Sequence, residues 1–272
     1  TRVRAPAAPA RPHRPEPGAL AGQLLAPALR EINEWEMVDA HHPVDNTTTG
    51  KIWANIPGGH KWLDYFEVYD REFSRFQNMR PRILEIGVYK GASLKLWKDF
   101  FGKGALIVGV DIDSNCLAHS APDDGIIVEI GSQADEDFLR RVASTHGPFD
   151  LIIDDGSHIA SHQIASFNAL FEAGLKEEGI YFVEDLECMY WGHTNEYRDR
   201  PITSIDFFKM LAYLQNSIFG EYQYNDFALH TDSVRGKFHS PEIAQHIGSV
   251  KFYRGIVVID KKRQLPPRVL HI

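Results

Sequence analysis

Cysteine is scarce: Cys116 and Cys188 are the two thiols in 272 residues. So few thiols do not make a disulfide framework, and a reducing compartment, the cytoplasm, is expected. Both are expected to be ordinary thiols without a catalytic role. No stretch approaches the roughly 18–20 consecutive apolar residues of a membrane span, so no membrane partner is expected. Basic charge is also short, with 29 Lys and Arg against 37 Asp and Glu and a net charge of −8. That balance argues against nucleic acid as a partner, since broad nucleic-acid binding uses a basic face. No internal repeat is visible. Regular structure is not expected in residues 1–18, where frequent proline leaves a disordered or loosely docked arm. The same prolines spoil the amphipathic helix of a transit peptide. The chain begins with Thr1, so its start is expected to be processed, truncated or engineered.

What is present is a chain long enough for one large α/β domain with additions, 43% of it hydrophobic. The most informative stretch is Ile83-Leu84-Glu85-Ile86-Gly87-Val88-Tyr89-Lys90-Gly91, followed further on by Val108-Gly109-Val110-Asp111. The first reads as a buried strand, a glycine turn and a helix from Ala92 to Phe101. The second reads as a strand ending at an acidic residue. Glycine lets backbone pass close to a ligand, and the helix N-terminus beyond it can face polar groups. An acidic strand end can accept both hydroxyls of a ribose.

A dinucleotide site wants G-x-G-x-x-G, so that backbone amides reach a pyrophosphate. Here the spacing is E-x-G-x-x-x-G, and Glu85 would repel a pyrophosphate. A cofactor without phosphates and with a positive centre fits better, and S-adenosylmethionine carries both an ammonium and a sulfonium. This E-x-G-x-x-x-G with its acidic partner resembles the class I methyltransferases.

Residues 19–40 have an amphipathic helical pattern, 41–60 read as a polar loop, and 61–78 return to helix. From there strand and helix alternate: strand 83–87, helix 92–101, strand 106–111, helix 114–118, strand 126–130, helix 134–145, strand 149–154, helix 160–175, strand 179–184. A polar aromatic loop (186–202) and a helix (203–219) follow, and 225–231 and 249–259 read as strands. The fold class is therefore α/β: a Rossmann-like, mostly parallel seven-stranded sheet with helices on both faces and an N-terminal helical addition. Three segments are expected: the arm 1–18, a helical or lid segment 19–80, and a methyltransferase domain 81–272.

A second constellation follows strands four and five: Asp154-Asp155-Gly156-Ser157-His158 and Glu184-Asp185. Both lie at carboxyl ends of neighbouring parallel strands and face one crevice. Asp155, Glu184 and Asp185 packed together are costly unless a cation neutralises them or one is protonated. Hard oxygen ligands suit Mg²⁺, Ca²⁺ or Mn²⁺. His158 is suited to take a proton from a hydroxyl on that metal. The simpler alternatives are that Asp154 or Asp155 merely caps the next helix, or that His158 is an ordinary surface histidine. His162, at i+4 from His158, has spacing that can ligate a transition metal, but no cysteine or third histidine joins it.

The stretch 83–191, through its DDGSH and VEDL motifs, resembles the metal-dependent sugar O-methyltransferases of antibiotic biosynthesis, of the macrolide and rhamnosyl types, and their cephalosporin hydroxylase-like relatives. The resemblance implies transfer of the methyl of S-adenosylmethionine to a sugar hydroxyl of a glycosylated natural product. It implies Asp155, Glu184 and Asp185 as Mg²⁺ ligands and His158 as base, with Asp155 beside it in catalysis. The cofactor set is then Glu85, Gly87, Tyr89, Gly91, Ser93, Asp111, Ile112, Gly131, Ser132, Gln133 and Asp154. The family's N-terminal T-D-K…H…Y segment reads here Thr49-Gly50-Lys51…His60…Tyr65…Tyr69, with Gly50 in place of the acid. Trp53, Tyr190 and Trp191 stack on the acceptor or belong to the core. A homo-oligomer is expected. The competing readings are a catechol-type metal-dependent methyltransferase, a hydroxylase-like enzyme, and a cofactor-binding protein without catalysis.

Overall fold

A computed structural model describes residues 46–191, 197, 202–216 and 242–265. The helix expected at 19–40 and the strand expected at 225–231 lie outside these residues.

Five strands run parallel: β1 (Arg82–Ile86), β2 (Leu106–Asp111), β3 (Ile126–Ile130), β4 (Phe149–Asp154) and β5 (Leu175–Val183). A hairpin, β6 (Ile247–Tyr253) and β7 (Ile256–Lys261), completes a seven-stranded sheet in the order β3-β2-β1-β4-β5-β7-β6. β7 is antiparallel to both neighbours. The single strand expected at 249–259 is thus two strands, because Gly255 turns the chain in the left-handed region (φ 72°).

Strand side chains alternate between two layers, as the period of two requires. Ile83, Ile107, Leu151, Ile153, Ile180, Phe182 and Val258 enter one core. Leu84, Val108, Ile152, Tyr181, Val183 and Val257 enter the other. The first layer is closed by α2 (Leu63–Phe73) and α3 (Ala92–Phe101), the second by α4 (Glu136–His146), α5 (Ala160–Leu170) and α6 (Ser204–Asn216). Burial on both faces explains why the parallel strands are near-continuous apolar runs in sequence.

The part expected as a polar loop contains a short helix, α1 (Thr48–Trp53). The Thr47 hydroxyl caps it by accepting from the Gly50 amide at 3.1 Å. Segment 114–118, expected as helix, is a 3₁₀ turn over Ser114–His119. Trp53 packs on the first core from α1, beside Phe66 with ring centroids 6.0 Å apart.

Phe73 is fully buried where α2 meets the sheet, 4.9 Å from Phe182 and 5.6 Å from both Tyr69 and Trp97 between ring centroids. Phe73→Ala is expected to lower stability by about 3–5 kcal/mol through lost burial and the cavity left behind. Urea unfolding monitored by circular dichroism measures it.

Candidate active site

The site is built where five strands end on one edge. Backbone hydrogen bonds continue one residue past the ladders: Gly87 N–H donates to Val110 O (2.8 Å) and Gly131 N–H to Asp111 O (2.9 Å). Asp155 N–H donates to Ile86 O (2.9 Å), and Glu184 N–H to Asp154 O (2.9 Å). The loops therefore leave the sheet in fixed register, and the E-x-G turn, DDGSH and VEDL are brought together as expected.

Gly87 has φ 98°, and a Cβ there would stand 2.0 Å from the Asp155 carbonyl oxygen. Only glycine lets the β1 and β4 loops touch. Asp111 Oδ2 accepts from the amides of Val88 and Tyr89, both at 2.9 Å, and its Oδ1 accepts from Asp113 N–H at 2.9 Å. Burial opposes its charge, yet those amides hold the carboxyl below its usual value. Asp111 thus shapes the glycine turn itself. Tyr89 and Ile112 stand exposed at its rim.

Several residues expected at the cofactor are braces in this structure. Glu85 is fully buried and accepts from Ser93 Oγ and Trp97 Nε1, each at 2.9 Å. Gln133 Nε2 donates to Asp154 Oδ1 (2.6 Å), and its Oε1 accepts from Ser157 N–H (3.0 Å). Asp154 is buried and also accepts from Ser166 Oγ at 2.7 Å. Burial pushes its carboxyl up to about 6. Ser132 Oγ accepts from Ala134 N–H at 3.2 Å. An added Cβ at Gly131 would meet the Phe138 ring at 2.5 Å.

The carboxylates converge, with a residue that the sequence reading missed. Lys61 Nζ lies 2.5 Å from Asp155 Oδ2 and 2.5 Å from Glu184 Oε2, buried between them. Burial opposes the ammonium, but Asp155 and Glu184 outweigh it and hold Lys61 well above its ordinary pKa. Tyr69 donates to Glu184 Oε1 at 2.8 Å, and Tyr65 donates to Asp185 Oδ1 at 2.7 Å. Asp155 and Glu184 thus share one positive charge, with Asp185 beside them on the Tyr65 hydroxyl. Burial pushes Glu184 well above the carboxylate range, Asp155 and Asp185 adding to it and Lys61 opposing.

His158 Nε2 stands 3.4 Å from Asp185 Oδ2, while its Nδ1 is buried without a partner among the described residues. His158, Asp185 and Tyr89 all have left-handed backbone (φ 57°, 55° and 49°). Such conformations cost energy and concentrate at functional sites. His162 turns instead to the Ser157 hydroxyl, 2.8 Å away. Of the N-terminal residues matched to the family pattern, Tyr65 and Tyr69 bond these carboxylates, beside Lys61. Thr49 Oγ1 donates to Asp70 and Phe66, and Lys51 Nζ donates to Asn46 O. His60 is exposed beside Trp62. Tyr190 and Trp191 are exposed as well. Burial raises the thiol of Cys116 to about 11 and that of Cys188 to about 12.

The donor set fits a hard divalent cation: carboxylate oxygens in surplus over positive charge, with an ammonium already among them. The sheet order is that of the Rossmann-like methyltransferase fold. Among the similar proteins are sugar O-methyltransferases of antibiotic biosynthesis. The 8-demethyl-8-(2-methoxy-α-L-rhamnosyl)-tetracenomycin-C 3′-O-methyltransferase of Streptomyces olivaceus is 35% identical over 212 residues, 74% of this chain and 50% of that protein. The demethylmacrocin O-methyltransferase of Streptomyces fradiae is 34% identical over 204 residues, 71% of this chain and 47% of that one. The crystal structure of the mycinamycin-pathway methyltransferase MycE with Mg, SAH and mycinamycin VI superposes with a TM-score of 0.61 at 28% identity. The match covers 79% of this chain and 54% of MycE. The chain spans about half the length of the curated relatives it matches. No protein-family model matches it.

Burial raises the Glu85 carboxyl to about 7, with Lys61 opposing. A carboxyl whose folded pKa is raised stabilises the fold below its unfolded pKa and loses that contribution as pH climbs through the folded value. Wild-type stability should therefore fall by about 2 kcal/mol between pH 5.5 and 8 on this group's account. Glu85→Gln keeps an acceptor for Trp97 without the charge and should flatten that slope. Urea unfolding across this pH range checks both proteins.

Proposed function

We propose that the chain transfers the methyl of S-adenosylmethionine to a sugar hydroxyl of a glycosylated natural product, with a divalent cation, Mg²⁺, as cofactor. The observation that carries this reading is the meeting of three strand-end carboxylates with His158 beside a glycine turn suited to a nucleoside. The relatives' names supply the acceptor class, and MycE's complex with Mg and SAH supplies the cofactors.

Asp155, Glu184 and Asp185 would hold the metal, whose chemistry is to bind an acceptor hydroxyl and lower its pKa. Tyr69 and Tyr65 orient Glu184 and Asp185 from the side of α2. His158 takes the hydroxyl proton. The hydroxyl oxygen then forms its bond to the methyl carbon as the carbon–sulfur bond breaks, leaving neutral S-adenosylhomocysteine. Gly87 lets the cofactor loop lie against the Asp155 loop, so donor and acceptor sit on one edge. Holding the two reactants in line supplies much of the rate. Tyr89 and Ile112, exposed beside Asp111, are available to the adenosine.

A reducing cytoplasm suits the two free thiols. Among the described residues no helix is long and apolar enough to cross a membrane. Assembly into a homo-oligomer belongs to the same proposal, and the exposed Met210 and Tyr213 on α6 offer contact surface for it.

Calorimetry and turnover test the proposal together. EDTA-treated protein should bind S-adenosylmethionine, and Asp155→Asn should keep that binding while losing Mg²⁺ binding. His158→Ala should lower kcat toward a rhamnosylated polyketide by about 10²-fold or more. Failure to bind S-adenosylmethionine overturns the reading. Unchanged turnover in His158→Ala removes the base assignment alone.

A further inference from the structure

The proposed reaction gives Cys188 no task, yet the fold carries this thiol to the histidine. The chain turns at Asp185 into a 3₁₀ segment, Leu186–Tyr190, closed by Cys188 N–H donating to Asp185 O at 3.0 Å. In a 3₁₀ turn, residues three apart lie on the same side, which places Cys188 beside the Asp185 carboxylate. His158 reaches the same carboxylate from the β4 loop. A ring nitrogen of His158, a carboxylate oxygen of Asp185 and the sulfur of Cys188 all lie within 4.8 Å of one another. Nδ1 of His158 is buried and has no hydrogen-bond partner among the described residues, so the ring has unused ligand capacity.

We infer that His158, Asp185 and Cys188 form a site for a zinc-class transition metal ion, which shares Asp185 with the proposed Mg²⁺ site and differs from it in chemistry. Nitrogen, oxygen and thiolate sulfur together suit Zn²⁺ or Co²⁺, whereas Mg²⁺ takes oxygen ligands. With metal–sulfur bonds of about 2.3 Å and metal–nitrogen bonds of about 2.0 Å, tetrahedral ligand atoms stand roughly 3.5 Å apart. A contraction of about 1 Å, within reach of side-chain rotation, closes the trio. A fourth position remains for water. Binding forms a metal–sulfur bond and releases the thiol proton to solvent.

Because the site takes His158 and Asp185, its ion excludes the proton transfer assigned above. That consequence alone rests on the proposed function; the site itself stands on its ligands. Zinc-class ions would then act as reversible inhibitors that Mg²⁺ does not mimic.

Co²⁺ added to the EDTA-treated full chain is the direct probe. The expected result is a near-ultraviolet thiolate-to-cobalt absorption band with stoichiometric binding, retained in Cys116→Ser and abolished in Cys188→Ser. Added Zn²⁺ should bleach the band, and excess Mg²⁺ should not. His158→Ala, which leaves both thiols in place, should weaken Co²⁺ binding roughly tenfold or more. Its thermal melt verifies that it folds. Absence of the band in wild type, its survival in Cys188→Ser, or undiminished Co²⁺ affinity in a folded His158→Ala protein overturns the site. S-adenosylmethionine binding, measured on the same sample, reports separately on the methyltransferase reading.

Discussion

Two carboxylates from neighbouring strand ends, Asp155 and Glu184, meet on the single ammonium of Lys61. Glu184 has no solvent access, and an unpaired charge there would cost several kcal/mol. The pair is tolerated because Lys61 supplies a cation in the crevice and burial favours the protonated form of Glu184. That constraint reaches outward: Tyr69 must be buried to donate to Glu184, and α2 must lie across the sheet to deliver Tyr69 and Tyr65. The aromatic cluster of Phe66, Phe73, Trp97 and Phe182 anchors α2 there. The stability of the first core layer and the geometry of the site are one problem.

The other half of the crevice is governed by glycine and by a buried acid. Gly87 allows the β1 turn to touch the Asp155 backbone, and Asp111 fastens the amides of that turn. Glu85, under the turn, is fixed by Ser93 and Trp97 and adds a second buried carboxylate to the field around Lys61. The glycine turn and the carboxylate cluster are therefore mechanically joined through one backbone contact and electrostatically joined through one lysine.

Much of this was legible in the sequence for a physical reason. Parallel strands buried on both faces are apolar runs, so β1 to β5 were read to within a few residues. The motifs that end them mark the sheet edge. Lys61 was not legible, because it stands 94 residues from Asp155 and a lone lysine in a Gly-Gly-His-Lys loop has no periodicity to betray it. The helix Thr48–Trp53 did carry a signal, the capping threonine, which the polar composition of the loop masked. The hairpin turn at Gly255 was hidden inside one apolar stretch. Gln133, Ser93 and Asp154 sit next to the crevice in sequence, but their polar atoms are spent on one another's loops. Cys188 and His158 meet only through the turn at Asp185, which sequence spacing does not express.

The dependence of the site on a resident cation is tested most directly by thermal unfolding of the wild type and Lys61→Met, each in EDTA and then with Mg²⁺. Without metal, loss of the ammonium leaves half-buried Asp155 and buried Glu184 without a counter-charge, Glu184 keeping only its Tyr69 hydrogen bond, and the variant should melt roughly 5–10 °C lower. Mg²⁺ should then raise the variant's midpoint more than the wild type's, because the ion replaces the missing charge. Equal melting temperatures in EDTA, or an identical response of both proteins to Mg²⁺, would contradict a crevice organised around a cation.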